Sequence, residues 1–208
     1  MTETRHLSSE ALAGLATPGE YVEAVREGYR QRGEGAPAEP RTRLDSDDPP
    51  GFLSGYFAIL PESDAMGGYA YSAGFEQRDA QFVLPLFSAT SGALLAVLDG
   101  ASLNPPKTGA AGAVGVDALA RADATRVGLL GSGTQARAQL RATATVRDLD
   151  HVAVFSPTAD HRETFAAEMG ADLDATVEAV TSSEAAVRGA DIVITATNAS
   201  DPVFEGDW

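Results

Sequence analysis

The sequence predicts an α/β protein in which a parallel sheet, incomplete at its carboxyl end, follows a separate α+β domain. Two patterns lead to this prediction. From residue 126 onward, short apolar runs alternate with helical segments, which is typical of parallel strands joined by right-handed crossovers. In the first hundred residues, helical segments precede strand-like runs separated by turns, which predicts a mostly antiparallel sheet. We place the two domains at residues 1–120 and 121–208.

The first predicted elements are two helices. A short helix is expected over residues 8–16. The second begins where Thr17 can cap it, Pro18 suits the first turn, and Glu20 completes a capping box. Gly33 ends this helix. Its apolar stripe, which we expect to face the core, consists of Tyr21, Val22, Val25 and Tyr29.

An arginine pair precedes the predicted sheet. Arg41 and Arg43 lie in a strand-like setting, where alternate side chains face the same way. Two adjacent guanidinium groups suit a carboxylate or a phosphate. A pair of solvated surface arginines is the alternative, since exposed charge is the norm. Strands are then predicted over residues 55–61, 68–73, 82–87 and 93–98, with an acidic turn over residues 45–51.

The segment after the sheet is rich in small residues. We predict a helix over residues 108–122, capped by Thr108, which would also contact a cofactor. Three glycines, Gly109, Gly112 and Gly115, would each weaken this helix by about 1 kcal/mol relative to alanine. A close helix–helix or helix–cofactor contact would explain why they are tolerated.

The most informative stretch is a glycine-rich turn between a strand pattern and a helix pattern. Residues 127–130 form a short apolar run, and residues 137–146 read as a helix. Between them, residues 131–136 fit G-x-G-x-x-A, the dinucleotide fingerprint of a Rossmann-type sheet. An ordinary glycine-rich turn is the alternative. The predicted cofactor-binding residues of this turn are Gly131, Ser132, Gly133, Thr134, Gln135 and Ala136.

There is a physical reason for a small residue at each of three positions of the fingerprint. Gly131 lets the strand turn sharply, Gly133 lets the backbone approach a pyrophosphate, and Ala136 lets the helix pack on the strand. The start of the helix offers unpaired N–H groups and a partial positive charge to the anion.

The remaining pattern is a strand–helix alternation. Strands are predicted over residues 151–155, 176–180 and 191–197, and helices over residues 159–169 and 182–188. Thr195, Ala196 and Thr197, at the carboxyl end of the fourth strand, are predicted to border the cofactor. A complete fold of this type has six strands. We therefore expect the fold to continue beyond Trp208, and the chain as given to be inactive.

The end of the second parallel strand bears on the choice between NAD and NADP. A carboxylate there would select NAD through the ribose hydroxyls. The first acid after this strand is Asp160, whereas Ser156 and Thr158 could bind a 2′-phosphate and Arg162 could pair with it. NADP is therefore slightly favoured. A solvated helix position is the alternative for Arg162.

Composition excludes several classes of protein. The chain has 30 acidic and 15 basic residues, a net charge of −15, which opposes binding to nucleic acid or anionic membranes. Because the acids are scattered, we interpret them as a hydrated surface suited to a halophilic cytoplasm, with mimicry of an acidic partner as the alternative. There is no cysteine, and the three histidines lack metal-ligand spacing. No long apolar run or signal-peptide core is present, so we expect a cytoplasmic protein.

Taken together, the motifs resemble those of the ornithine cyclodeaminase/mu-crystallin family, from Arg41 to Trp208. The matching pieces are Pro40–Leu44, Leu98–Gly100, Leu103, Lys107–Ala110, Gly131–Ala136, Ala190–Val193 and Thr195–Thr197. The resemblance implies a substrate-binding and dimerisation domain followed by a Rossmann domain. It also implies a homodimer that binds NAD or NADP and acts on small α-amino or α-imino acids.

The resemblance assigns roles to three further residues. Arg41 and Lys107 would hold the substrate carboxylate, with lysine standing where the family usually has arginine. Tyr69 takes the place of the family's lysine near the substrate amino group and could donate a proton as a phenol. The family's catalytic aspartate would lie downstream of Trp208.

The implied activity is hydride transfer between nicotinamide and the α-carbon of a small amino or imino acid, as in alanine dehydrogenases and ketimine reductases. Two alternatives remain open. One is ornithine cyclodeaminase, which converts ornithine to proline and ammonia. The other is a non-catalytic NADP-binding protein of the mu-crystallin kind, which tyrosine in place of lysine at position 69 would favour.

Overall fold

The computed structural model describes residues 4–76 and 80–208, which fall into two compact units. The first unit comprises the described residues of Met1–Ala16 and Arg26–Asn104, and the second comprises Thr17–Val25 and Pro105–Trp208. Among the described residues, no helix is long and apolar enough to cross a membrane.

The first unit is built on a mostly antiparallel sheet, as the sequence predicts. The elements up to Asp99, in chain order, are β1 (Arg5–Leu7), α1 (Ser9–Leu12), α2 (Pro18–Gly33), β2 (Thr42–Asp47), β3 (Pro50–Leu60), a 3₁₀ turn (Pro61–Ser63), β4 (Ala65–Ala73), β5 (Gln81–Phe87) and β6 (Leu94–Asp99). The residues of α2 up to Val25 belong to the second unit. The order of the described strands is β1-β6-β5-β4-β3-β2. β1 runs parallel to β6, and the other neighbours are antiparallel.

The start of α2 confirms the predicted capping box. The backbone N–H of Thr17 donates to Glu20 Oε2 at 2.7 Å, and the N–H of Glu20 donates to Thr17 Oγ1 at 3.3 Å. Two of the four N–H groups that an isolated helix start leaves unpaired are satisfied in such a motif. The prediction that the apolar stripe of α2 faces the core is confirmed for Val22, which is buried. It is wrong for Tyr29, which is half exposed.

The second unit contains the strand–helix alternation. Its elements are α3 (Asn104–Leu119), β7 (Arg126–Leu130), α4 (Thr134–Thr143), β8 (His151–Phe155), α5 (Ala159–Asp172), β9 (Thr176–Ala179), α6 (Ser183–Val187) and β10 (Ile192–Thr195). The strands are all parallel, in the order β10-β7-β8-β9. The predicted parallel sheet is confirmed. Because the chain builds outward from β7 through β8 and β9 and then returns to β10, the strand order reverses between β7 and β10.

Several predicted boundaries are wrong, among them those of α3, α4 and the acidic turn. α3 begins at Asn104, so Thr108 lies inside the helix and is not its cap. The two prolines after Asn104 suit a first turn, where an N–H is not needed. α4 begins at Thr134, three residues before its predicted start. The acidic turn is shorter than predicted, since β2 continues to Asp47 and β3 starts at Pro50.

Small residues allow α3 and α4 to pack closely. A Cβ at Gly109 would overlap the backbone carbonyl of Ala138, so only glycine fits at this crossing. Ala110 and Ala113 are fully buried next to it, in a cluster with Val22 and Ala142. Of the two explanations for the glycine-rich helix, the helix–helix contact is confirmed at Gly109.

Candidate functional site

A cavity of about 640 Å³ lies at the carboxyl ends of β7, β8 and β10, in the second unit. Open parallel sheets bind ligands at this edge, at the point where the strand order reverses. Its wall is formed by Thr108, Leu130, Gly131, Ser132, Gly133, Thr134, Gln135, Gln139, Phe155, Ser156, Pro157, Ala196, Thr197, Asn198, Ala199 and Val203.

Gly131 makes the sharp turn at the end of β7. Its φ of +120° lies in a region that residues with a side chain rarely adopt. A Cβ there would also overlap the backbone carbonyl of Ala196. The turn is tied to both neighbouring strands, because Gly131 N–H donates to Phe155 O at 2.8 Å and Ala196 N–H donates to Leu130 O at 2.8 Å. The three strand ends are thus fixed relative to one another.

Gly133 differs from Gly131 in what surrounds it. Its backbone is extended (φ −84°, ψ −171°), and a Cβ at this position would meet no atom within 4 Å. In the part of the chain that the structure describes, the N–H groups of Ser132, Gly133 and Thr134 donate to no protein acceptor. They stand at the start of α4, where the helix carries a partial positive charge. The turn therefore offers unpaired donors to an anion.

Gln135 adds an unpaired acceptor to the same wall. Its side-chain Oε1 is buried and accepts no hydrogen bond within the described residues. A buried acceptor without a partner costs about 1–3 kcal/mol, so native proteins rarely leave one. A ligand with an N–H or O–H group would satisfy this oxygen. The donors of the turn and this acceptor together fit a polar, phosphate-containing ligand such as a dinucleotide.

Polar residues also follow β8. Ser132 Oγ donates to Ser156 Oγ at 2.9 Å, and Ser156 is itself buried. Arg162, in the first turn of α5, donates from Nη1 to the backbone oxygens of Ser156 at 3.1 Å and Pro157 at 3.4 Å. The guanidinium group therefore lies against the turn that follows β8, and no carboxylate precedes Asp160 there.

The predicted cofactor residues divide into two groups. Those that line the cavity are Thr108, Gly131, Ser132, Gly133, Thr134, Gln135, Ser156, Ala196 and Thr197. Outside its lining lie Ala136, Thr158, Arg162 and Thr195. Ala136 is fully buried in the core beneath the turn, where it lets α4 pack on the sheet. Cofactor binding by these residues stays a prediction.

Sequence reasoning missed several residues of the wall. Leu130 and Phe155 are the last residues of their strands, and their position at the carboxyl edge was a usable signal. Gln139 lies one helical turn after Gln135 on α4, which was a usable signal as well. No local pattern pointed to Val203, which packs on the sheet with Phe204 and Trp208 after β10 has ended.

In the first unit, Arg41 lies over an aromatic face of the sheet. Its guanidinium carbon is 5.6 Å from the ring centre of Tyr56 and 5.8 Å from that of Tyr71. Within residues 4–76 and 80–208, Arg41 has no carboxylate partner. Arg43 differs, because it forms an ion pair with Asp45 at 2.7 Å. Arg41 is therefore a cation without a counter-ion among the described residues.

Tyr69 lies within the same face and is almost fully buried, with 4% of its surface exposed. Its hydroxyl donates to the backbone oxygen of Gly100 at 2.8 Å. Burial, followed by the neighbouring Tyr56, raises the pKa of the Tyr69 phenol above its ordinary value of 10.0. Both features oppose release of this proton, and its use in catalysis stays a prediction.

Lys107 belongs to the second unit, in the first turn of α3. It is partly buried and precedes Thr108, which lines the cavity. Its predicted contact with a substrate carboxylate is untested. Among the described residues, no group of three or more histidine, aspartate and glutamate side chains could hold a metal ion.

A turn of this geometry on a parallel sheet defines a nucleotide-binding class of fold, and comparison with known proteins narrows the class to one family. The model of the ornithine cyclodeaminase/mu-crystallin family matches residues 6–208, and the chain belongs to this family. The resemblance of its motifs is thereby confirmed.

Three individual proteins illustrate the relationship. A putative dehydrogenase of Rhizobium meliloti is 32% identical over 219 residues, which cover 100% of this chain and 66% of the relative. The Delta(1)-pyrroline-2-carboxylate reductase of Thermococcus litoralis, solved with NADH and L-proline, has a TM-score of 0.88 and 29% identity over 99% of this chain and 65% of its own. An archaeal alanine dehydrogenase dimer with bound NAD has a TM-score of 0.90 and 26% identity, covering 100% and 64%. The chain thus spans just under two thirds of the length of these relatives.

Proposed function

We propose that the cavity at the carboxyl edge of the parallel sheet binds NAD or NADP, with the pyrophosphate on the turn of residues 131–136. The main support is the set of unpaired N–H groups at Ser132, Gly133 and Thr134, which face no protein acceptor among the described residues. The unpaired Gln135 oxygen gives independent support. The related reductase was solved with NADH and the related alanine dehydrogenase with NAD.

Two glycine substitutions test the dinucleotide site. Gly133→Ala places a methyl group where no protein atom lies within 4 Å, so the fold should tolerate it. A pyrophosphate approaching the backbone would meet that methyl group, so the affinity for NADH should fall at least tenfold. We would follow binding through the fluorescence of NADH and folding through thermal unfolding.

Gly131→Ala is the matched control, because it should destabilise the fold itself. Its φ is positive and its Cβ would overlap the carbonyl of Ala196. Unchanged NADH affinity in a folded Gly133→Ala protein would contradict the proposed site. Failure of the unsubstituted protein to bind NADH or NADPH would refute it outright.

We further propose a slight preference for NADP. Support comes from the lack of a carboxylate directly after β8 and from Arg162, which lies against the turn there. Arg162→Met should weaken NADPH about fivefold and leave NADH within twofold, since only NADPH carries the 2′-phosphate. Equal losses for both nucleotides, or tighter binding of NADH by the unsubstituted protein, would contradict this preference.

The proposed activity of the whole protein is hydride transfer between the nicotinamide and the α-carbon of a small amino or imino acid. When bound, the nicotinamide would supply or accept the hydride. In the reductive direction the substrate C=N bond gains that hydride on carbon and a proton on nitrogen. The assay is consumption of NADH or NADPH with pyruvate plus ammonia, or with a cyclic imino acid.

Arg41 is proposed to hold the substrate carboxylate, together with Lys107. The support is that Arg41 has no carboxylate partner among the described residues, although the chain carries a net charge of −15. Arg41→Met should therefore raise the KM for the acid substrate tenfold or more. Arg43→Met, which removes an arginine already paired with Asp45, should change KM less than twofold.

Tyr69 is proposed as the group near the substrate nitrogen. Tyr69→Phe removes only the hydroxyl, so it separates a proton donor from a packing residue. A fall in kcat of a hundredfold with little change in unfolding temperature would support proton donation. An unchanged kcat with lower stability would assign the hydroxyl to its hydrogen bond with Gly100.

Two rival functions remain within the family. Ornithine cyclodeaminase activity would release proline and ammonia from ornithine without net consumption of nicotinamide cofactor. A non-catalytic nucleotide-binding protein would bind NADPH and show no turnover in any of these assays. Lysine is absent at position 69, and this departure from the family pattern supports the second rival.

We also propose a homodimer formed through the sheet of the first unit. One face of this sheet exposes six large apolar side chains: Leu44, Leu53, Phe57, Ile59, Val83 and Leu95. The archaeal alanine dehydrogenase was solved as a dimer. Phe57→Glu should shift sedimentation from dimer to monomer. Leu119→Glu, an equally drastic change at an exposed leucine of α3, should leave the dimer intact.

A further inference from the structure

Arg137 of α4 extends its side chain back over the glycine-rich turn. Its Nη1 donates to the backbone oxygen of Ser132 and, at 3.4 Å, to that of Gly133. The same guanidinium group donates from Nε to Glu168 Oε2 at 2.9 Å and lies 5.0 Å from the ring centre of Phe165. Only 24% of the Arg137 side chain is exposed. Contacts on three sides fix its position.

The hydrogen bond to Ser132 determines which way the next peptide N–H points. In a trans peptide the C=O and N–H groups point in opposite directions. Because the oxygen of Ser132 points to Arg137, the N–H of Gly133 points away from Arg137. The same relation joins the oxygen of Gly133 to the N–H of Thr134, and that oxygen also accepts from the backbone N–H of Arg137 at 3.2 Å, at the start of α4. Neither N–H donates to a protein acceptor within the described residues.

Gly133 itself cannot hold this orientation. Glycine has the widest conformational freedom of all residues, and no atom lies within 4 Å of where its Cβ would stand. The orientation of the Ser132–Gly133 peptide must therefore come from a contact to its carbonyl group. Arg137 makes that contact from a side chain, and Glu168 of α5 holds the guanidinium group in place.

We infer that Arg137 is a positioning residue for the pyrophosphate: it orients the Ser132–Gly133 peptide so that the Gly133 N–H group faces the ligand, next to the N–H of Thr134 at the start of α4. This inference rests on the proposed dinucleotide site and extends it. The role of Arg137 is geometric, since its guanidinium group is already engaged with Glu168 and the turn. Its loss should therefore weaken only those ligands that contain the pyrophosphate.

The test compares ligands with and without a pyrophosphate on the Arg137→Met and Arg137→Lys proteins. NADH and ADP-ribose contain the pyrophosphate, and adenosine does not. We expect both variants to bind NADH and ADP-ribose about tenfold more weakly. Adenosine affinity, measured by ligand-observed NMR, should stay within twofold. Lysine keeps the charge but lacks the planar fork that spans the turn and Glu168.

A matched control lies one turn further along α4. Arg141→Met removes an arginine paired with Asp172 at 2.5 Å, outside the cavity, and should leave every affinity unchanged. A second readout needs no ligand. The amide resonances of Gly133 and Thr134 should shift in the Arg137 variants and not in Arg141→Met.

The outcomes separate the inference from the proposed function. If the unsubstituted protein binds neither NADH, NADPH nor ADP-ribose, the proposed function fails. If it binds them and Arg137→Met binds them equally well, only the inference fails. Full binding by Arg137→Lys would show that charge alone is sufficient and would overturn the positioning role. An equal loss of adenosine would overturn it too, since a general distortion would then be the cause.

Discussion

The two units of the chain bury apolar surface in different ways. All three clusters of buried hydrophobic residues within the described part lie in the second unit. In the first unit, the buried hydrophobic residues of the described part are Leu12, Tyr69 and Ala96. One face of its sheet exposes large apolar side chains, and the other face carries aromatic rings with arginine side chains over them. The second unit is therefore stabilised from within, whereas the first leaves apolar surface exposed.

A matched pair of phenylalanines gives the largest expected effect. Phe165 of α5 is fully buried in the second unit, and Phe57 of β3 is 61% exposed in the first. Phe165→Ala should cost about 3–5 kcal/mol of unfolding free energy, because it leaves a cavity in a packed core. Phe57→Ala should cost less than about 1 kcal/mol. Urea unfolding measures both.

The unfolding free energies of these two variants must be compared under conditions in which self-association of the protein does not contribute to stability. We would measure both variants at concentrations at which sedimentation shows a monomer. A loss above about 2 kcal/mol in monomeric Phe57→Ala would contradict the comparison, because it would mean that the first sheet buries Phe57 within its own unit. A small loss in Phe165→Ala would contradict the internal core of the second unit.

Arg147 should give the next largest effect. Its side chain is 10% exposed, pairs with Asp117 at 2.8 Å, and donates to carbonyl oxygens at the end of α3. α3 contains three glycines and has a weak intrinsic preference for helix. Arg147→Met removes a nearly buried donor from these oxygens and should cost about 3 kcal/mol. Thermal unfolding would report it.

The control for Arg147 is another arginine with an exposed partner. Arg141→Met breaks an ion pair in which both side chains are more than 40% exposed. Such pairs contribute about 0–1 kcal/mol, so the unfolding temperature should barely change. Equal effects at the two positions would show that the carbonyl contacts of Arg147 contribute little.

The sequence predicted the second unit better than the first, and the reason is physical. The strand–turn–helix at residues 126–143 is specified by local residues, since Gly131 is required by the turn itself. Val203 could not be predicted, because it joins the cavity wall through packing of a segment without regular structure. The role of Arg147 was equally hidden, since all of its acceptors except the backbone oxygen of the adjacent Val146 lie 26 or more residues away in the chain.

In the first unit, alternation predicted the strands but not what their faces do. Arg41 and Arg43 were expected to face the same way, and both lie over aromatic rings. Arg43 pairs with Asp45, whereas Arg41 has no carboxylate partner within residues 4–76 and 80–208. This difference depends on side-chain geometry that alternation does not specify. The start of α3 was predicted too late, at Thr108, because the two prolines after Asn104 were not counted as a first helical turn.

A smaller effect is expected at Asp191, which precedes β10. Its carboxylate accepts from the N–H groups of Thr125 and Arg126, both at 3.0 Å, and pairs with Arg121. These backbone hydrogen bonds lower the pKa of Asp191 below its ordinary value of 3.8. A depressed pKa contributes stability above the ordinary value and loses it as the pH falls through the folded-state pKa.

Asp191→Asn should therefore lower the unfolding temperature at pH 7 by a few degrees. The difference from the unsubstituted protein should shrink as the pH falls below about 3.8, because the unfolded carboxylate then takes up a proton and the folded one follows only at lower pH. Asp174→Asn, at an exposed carboxylate, should change the unfolding temperature by less than a degree at either pH. A difference for Asp191→Asn that is constant with pH would contradict the pKa shift.

The smallest expected effect concerns a property that the two units share. Both are acidic: the first contains 13 acidic and 7 basic residues, and the second contains 17 and 8. Raising NaCl from 0.1 to 1 M shortens the screening length from about 10 to about 3 Å and weakens this self-repulsion. The unfolding temperature should rise by a few degrees at pH 7 and much less near the isoelectric point of about 4.4. The charge is spread over both units, whereas the clusters of buried hydrophobic residues lie in the second. The unfolding temperature of Phe165→Ala should therefore rise with salt by as much as that of the unsubstituted protein. A larger gain in the variant would mean that charge repulsion and core packing are coupled in the second unit, and that the contrast between the units is not one of packing alone.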